Sequence, residues 1–120
     1  MIKLAFVFRS APHGTSSCRE GLEALLAATA FCQEEDIAVF FLDDGVFNLL
    51  SEQQPECILQ KDFIRTFKLL ELYDIEQRYI CRESLARVGL ETQPLILYCE
   101  TLDRTELVEK LQQAEKVLTF

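Results

Sequence analysis

Short apolar runs alternate with stretches of helical spacing along this chain from end to end. Residues 2–8 (Ile-Lys-Leu-Ala-Phe-Val-Phe) form a near-continuous apolar run, the pattern of a strand buried on both faces. A loop with Pro12 and Gly14 follows. Ser17 and Glu20 then have the S-x-x-E spacing of a capping box and predict a helix from about Cys18, with Leu22, Leu25, Leu26 and Cys32 as its apolar stripe. A second buried strand is expected at Ile37–Leu42, ended by a turn at Asp43-Asp44-Gly45. Residues 46–59 read as irregular, with a short helical turn at Val46–Leu50, and a second helix is predicted over about 61–72. A third strand is expected at Arg78–Cys81, leading into a short helix that Gly89 terminates as its C′ residue. Leu95–Tyr98 predicts a fourth strand. Asp103 and Glu106 give a capping-box-like start to a last helix with Leu107, Val108 and Leu111 inside, and Lys116–Phe120 predicts a fifth strand.

Five apolar strands separated by helices imply an α/β domain: a three-layer α/β/α arrangement around a five-stranded, mainly parallel sheet with right-handed crossovers. The length suits a single domain over residues 1–120. Strand order is left open by the sequence. In such sheets the functional edge lies at the carboxyl ends of the strands. That edge is expected to carry the 9–17 loop, Asp43-Asp44-Gly45, Cys81 and Cys99.

Charge narrows the function. The 20 acidic residues outnumber the 12 basic ones and give a formal net charge of −8. Tight binding of DNA or RNA rests on basic side chains neutralising phosphates, so no direct nucleic-acid partner is expected. No apolar run is long enough to cross a bilayer, and residues 2–8 read as a strand and not as a signal peptide; no membrane partner is expected. Five cysteines, an odd number without C-x-x-C spacing, argue against a disulfide framework, a zinc site or a dithiol redox motif, and fit a reducing, cytoplasmic setting. With His13 the only histidine, neither a metal nor a cofactor is expected.

Among candidate reactive groups Cys81 is the best placed. It closes a strand and opens a helix, where the partial positive charge of the helix start and the nearby Arg82 favour a thiolate able to hold a persulfide. Glu83 acts against this. The bland alternative is a small buried residue at a strand end. Cys18 with His13 is a weaker nucleophile–base pair, and Cys32 reads as core packing. Cys81 to Arg87 has the C-x5-R spacing of cysteine phosphatases, but the intervening residues lack glycine and favour helix over a phosphate-cradling loop. The 9–17 loop has too few glycines and hydroxyls to match a phosphate-binding motif, and Asp43-Asp44 reads as a turn more than a phospho-acceptor. Nine phenylalanines, clustered at Phe40-Phe41, Phe47, Phe63 and Phe67, exceed what so small a domain easily hides and point to an exposed apolar interface.

Several segments together resemble the DsrE/DsrF/DsrH family, in the branch that builds the TusBCD-type sulfur relay. They are the opening run Ile2–Thr15, the segments Cys18–Ala27, Ala38–Leu50 and Asp62–Leu70, and Leu72–Gln77; the resemblance spans the whole chain. It implies a bacterial cytoplasmic complex that passes cysteine persulfide sulfur toward 2-thiolation of a wobble uridine in tRNA. It also implies TusB-like and TusD-like partners in a heterohexamer of two trimers, with a TusE-like acceptor downstream. Cys81 falls at the position of the sulfur-transfer cysteine of the D-type subunit, but Arg82 and Glu83 stand where that subunit has small apolar residues. Two readings follow: an assembly subunit without catalysis of its own, or a sulfurtransferase carrying persulfide on Cys81. A small-molecule site at the 9–17 loop is a third and weaker one.

Overall fold

A computed structural model describes residues 2–10, 17–49, 74–87, 89 and 98–120. The helix expected over 61–72, most of the irregular 46–59 segment, His13, Cys57, Phe63 and Phe67 lie outside the described residues, as do the side chains of Ser17, Cys18 and Phe47.

Strand β1 (Leu4–Phe8) leads to helix α1 (Ser17–Ala28), and β2 (Ile37–Phe41) to a 3-10 segment at Asp43–Leu49. Strand β3 (Gln77–Cys81) runs directly into helix α2 (Arg82–Arg87). Strand β4 (Glu100–Leu102), helix α3 (Arg104–Gln112) and strand β5 (Lys116–Thr119) complete the order. The five strands form one sheet in the order β4-β3-β2-β1-β5, and every neighbouring pair is parallel.

That order dictates which face each helix covers. From β1 through β4 the chain steps steadily toward one edge, and right-handed crossovers place α1 and α2 on one face. The step from β4 to β5 returns across the sheet and must pass over the other. Accordingly Leu22 and Leu25 of α1 and Leu85 of α2 pack with Phe6, Phe8, Val39, Phe41 and Ile80. Leu107 of α3 packs with Ala5, Val7, Ala38, Phe40, Tyr79 and Cys81 on the opposite face. The alternation along each strand is the period of two of pleated backbone. Central β2 is buried at all five positions, which explains its unbroken Ile-Ala-Val-Phe-Phe run.

Four expectations need correction. Helix α1 stops at Ala28, so Cys32 is not on its stripe; its amide reaches back to the Ala28 carbonyl (2.9 Å) and its side chain is partly buried against the core. Asp43-Asp44-Gly45 is the start of a 3-10 segment and not an isolated turn. Tyr98 is outside any strand, Leu95, Ile96 and Leu97 of the expected fourth strand lie outside the described residues, and the fourth strand among the described residues is Glu100–Leu102. Phe40 and Phe41 belong to no exposed cluster: both are fully buried, because each face of the sheet is roofed by helix.

Two of the three cap readings hold, and the third rests on the Ser17 side chain, outside the described residues. The Asp103 carboxylate accepts from the Glu106 amide (2.8 Å), and Gly89, at φ 73°, follows α2 and donates to the Ala86 carbonyl (3.1 Å). Strand β5 reads as apolar but is an edge strand with one neighbour, so Val117 and Leu118 remain partly exposed.

Candidate functional site at the carboxyl edge of the sheet

Parallel pairing carries the ends of β1, β2 and β3 to one edge, and Asp43 is the hub there. Leu42 donates its amide to the Phe8 carbonyl (3.1 Å), which holds the exit of β2 against β1. Asp43 then adopts φ 52°, a left-handed conformation that aspartate tolerates better than most residues. Its amide donates to Ser84 Oγ of α2 (2.8 Å).

The Asp43 carboxylate bridges two arginines. Oδ2 accepts from Arg9 Nε (2.8 Å) and lies 2.6 Å from Arg9 Nη2, while Oδ1 accepts from Arg104 Nη1 (2.9 Å). One carboxylate thereby ties the end of β1 to the start of α3. Burial alone would raise its pKa, but the hydrogen bonds and charges of Arg104 and Arg9 outweigh that and hold it below the usual aspartate value. Asn48, fully buried, donates to the carbonyls of Ser10 (3.1 Å) and Gly45 (2.9 Å) and pins the 3-10 segment to the same edge.

Cys81 ends β3 on the face that α3 covers, and it is fully buried. Arg104 holds its proton more tightly than usual, chiefly through its bond to Asp43 and in smaller part through Cys81. Glu83, the anion expected to oppose a thiolate, turns to α3 instead and accepts from the Arg104 amide (2.8 Å). Asp103 and Glu83 therefore satisfy two of the open amides at the start of α3. Arg87 reaches Asp44 (3.5 Å), and residues 82–87 are helical, so the C-x5-R spacing builds no phosphate loop.

Cys99 does not share this edge. Tyr79 is the register partner of Glu100, so Cys99 stands beside Arg78, toward the amino ends of the strands. It is buried, and desolvation lifts its thiol to about 12 despite the nearby charge of Arg78. The Cys18–His13 pair lies outside the described residues. At the amino ends of β2 and β3, Glu34, Glu35, Asp74, Glu76 and Gln77 line a cleft of about 430 Å³, an acidic feature the sequence pattern did not single out. Among the described residues no group of three or more histidine, cysteine or carboxylate side chains is placed to hold a metal ion, and no helix is long and apolar enough to cross a membrane.

The DsrE/DsrF-like family model matches residues 2–120. The chain belongs to the DsrE/DsrF-like family. Within that family it is 63% identical over 119 residues to a protein of Haemophilus influenzae called Protein TusC homolog, covering 99% of this chain and 100% of that one. It is 49% identical over 121 residues to Protein TusC of Escherichia coli, with both chains covered in full. The fold likeness extends to the crystal structure of the E. coli ychN protein, at a TM-score of 0.80 and 27% identity over 100% of both chains. Cys81, at the end of β3, is fully enclosed.

Proposed function

We propose that this chain is an assembly subunit of a cytoplasmic sulfur-relay complex of the TusBCD type. It completes the complex and positions a sulfur-carrying cysteine on a TusD-like partner, with a TusB-like subunit in the same heterohexamer and a TusE-like acceptor beyond. The relay delivers persulfide sulfur toward 2-thiolation of the wobble uridine of tRNA. Full-length similarity to proteins called TusC supports the relay. The observation that carries the non-catalytic role is the complete burial of Cys81 in the core beneath α3, since a carrier thiol must meet both a donor and an acceptor sulfur. An acidic chain suits a subunit that leaves tRNA to a later protein.

The test is genetic. A Cys81→Ser strain keeps wobble-uridine thiolation, whereas a deletion strain loses it. Loss of thiolation in the Cys81→Ser strain overturns the assembly role.

One observation favours the alternative, a sulfurtransferase carrying persulfide on Cys81. The thiol closes β3 next to a helix start, and its register partner Leu102 brings the first turn of α3, with Arg104, to the same edge. That reading expects an adduct of about +32 Da, one added sulfur, on the Cys81 peptide after exposure of the purified complex to a persulfide donor.

A further inference from the structure

Strand β5 presents an open edge, and we infer that it pairs antiparallel with β5 of a second copy of this chain, about a two-fold axis at Leu118. This goes beyond the relay reading and does not depend on it. Among the described strands β5 has one neighbour, β1, and all four of its residues are exposed. The bonds to β1 show which backbone groups are occupied. The Lys116 amide donates to the Lys3 carbonyl (3.0 Å), the Phe120 amide donates to the Val7 carbonyl (2.8 Å), and the Phe120 carbonyl accepts from the Arg9 amide (2.7 Å). In a parallel ladder alternate residues turn both backbone groups to the same neighbour, so Lys116, Leu118 and Phe120 face β1. Val117 and Thr119 turn theirs outward, where no described strand lies.

Proteins usually block an open edge with a charge or a proline. The run Val117-Leu118-Thr119-Phe120 has neither, whereas the opposite edge strand β4 carries the exposed Glu100. A second copy fits because the open groups are symmetric about Leu118. With Leu118 opposite Leu118 of the second copy, Val117 of each chain stands opposite Thr119 of the other, and four hydrogen bonds close. A two-fold on Val117 or on Thr119 would leave the other residue's groups open. Such a pairing uses both β5 edges and stops at two chains, while β5 on β4 would run on head to tail. Charge selects the direction. Parallel pairing would set the two Lys116 side chains side by side; the antiparallel one parts them and lays each across from Phe120 of the other copy, whose ring stacks on Phe6 and Phe8. It also brings the exposed Glu115 of the second copy toward the end of β1, where the exposed Arg9 stands. Two chains of net charge −8 repel each other on average, and residues 116–120 carry no acidic side chain.

The experiment is sedimentation equilibrium of the purified full chain, joined to a cross-link. A contact of four residues a side is small, so a dissociation constant on the order of 10 μM is expected. The mass then rises from one chain to two between about 1 and 200 μM. Thr119→Pro removes an outward N–H and none of the bonds to β1, so the fold is kept and dimerisation weakens at least about tenfold. Under mild oxidation by copper phenanthroline, Leu118→Cys forms a disulfide between copies at position 118, identified as a linked peptide by mass spectrometry. Opposed residues of a non-hydrogen-bonded pair lie about 4.5 Å apart, within disulfide reach. Val117→Cys is diagonal to its own copy and links at least about fivefold more slowly. A chain that stays single up to about 200 μM overturns the inference. So does an unchanged dissociation constant in Thr119→Pro, or linkage of Val117→Cys as fast as that of Leu118→Cys. Where the proline variant fails to fold, the two cross-linking rates decide.

Discussion

A Cβ placed on Gly45 would fall inside the carbonyl oxygen of Phe8, so the 3-10 segment after β2 lies directly on the end of β1. Backbone, unlike the tip of a side chain, cannot move aside cheaply. The same segment carries Asp43 and Asn48, so its seating sets the geometry of the edge above Cys81. Gly45→Ala is therefore expected to destabilise the fold by about 3 kcal/mol, the upper end of the usual range for overpacking. Urea unfolding of the variant checks this, and a loss below about 1 kcal/mol would show that the segment can shift.

Gly21 of α1 makes a comparable approach to side chains. A Cβ there would meet Phe120 Cγ at 2.6 Å and Phe8 Cε1 at 2.7 Å. Glycine inside a helix ordinarily costs about 1 kcal/mol against alanine, so Gly21→Ala would stabilise an unpacked helix. Here the overlap outweighs that gain, and a net loss of about 1–2 kcal/mol is expected. Phe120→Ala removes one of the two obstructing rings. The double variant is then expected to be more stable than the sum of the single changes implies, which a double-mutant cycle measures directly.

The fold was legible where burial on both sides of a strand leaves unbroken apolar runs, as in β1 and β2, and where caps announce helices, as at Asp103 and Gly89. Strand β4 was not anticipated because it is a short edge strand whose Glu100 and Thr101 are exposed, and the apolar run Leu95–Leu97 lies outside the described residues. Cys81 was legible at the junction of strand and helix. The ion pair that crosses the same edge was not. Asp43 and Arg104 are 61 residues apart and meet only because β3 and the start of α3 adjoin β2, an order no local pattern encodes. Cys99 was misplaced for the same reason, since its level in the sheet depends on where β4 begins.

Core packing and exposure separate two neighbours on α3. Leu107 is fully buried against the sheet, while Val108 is 39% exposed. Leu107→Ala leaves a cavity beneath the helix and is expected to cost about 2–5 kcal/mol. Val108→Ala is expected to change stability by no more than about 0.5 kcal/mol. Thermal melts of the two variants should differ clearly, and equal losses would mean that α3 sits differently on the sheet.

Asp43 also gives the stability a pH dependence whose sign is fixed. Its carboxyl is held below the ordinary aspartate value of 3.8, chiefly by Arg104 and Arg9 against the opposing effect of burial. The unfolded chain therefore takes up this proton first as pH falls, and stability is present above the ordinary value and lost on descending through the depressed one. Asp43→Asn removes this contribution. It is expected to lower stability at neutral pH and to flatten the acid limb below about pH 4, so that the two proteins converge at the lowest pH. Denaturant melts at stepped pH check it, and a constant gap down to pH 2 would place the contribution elsewhere.

Cys99 serves as a built-in measure of how closed the interior is. Its thiol is lifted to about 12 by desolvation, and the charge of Arg78 beside it does not offset that. Arg78 Nε is itself buried without an acceptor among the described residues, so water does not screen the pair freely. At pH 8 an ordinary cysteine, with a pKa near 8.5, is about a quarter thiolate, and a thiol lifted this far holds on the order of a thousandfold less. Alkylation of Cys99 in the native chain is therefore expected to run about three orders of magnitude slower than that of the same peptide in urea. The ratio should narrow in Gly45→Ala or Leu107→Ala to the extent that those changes raise the unfolded population, in which Cys99 is an ordinary thiol. A native rate within tenfold of the unfolded one would mean that the thiol is open to solvent.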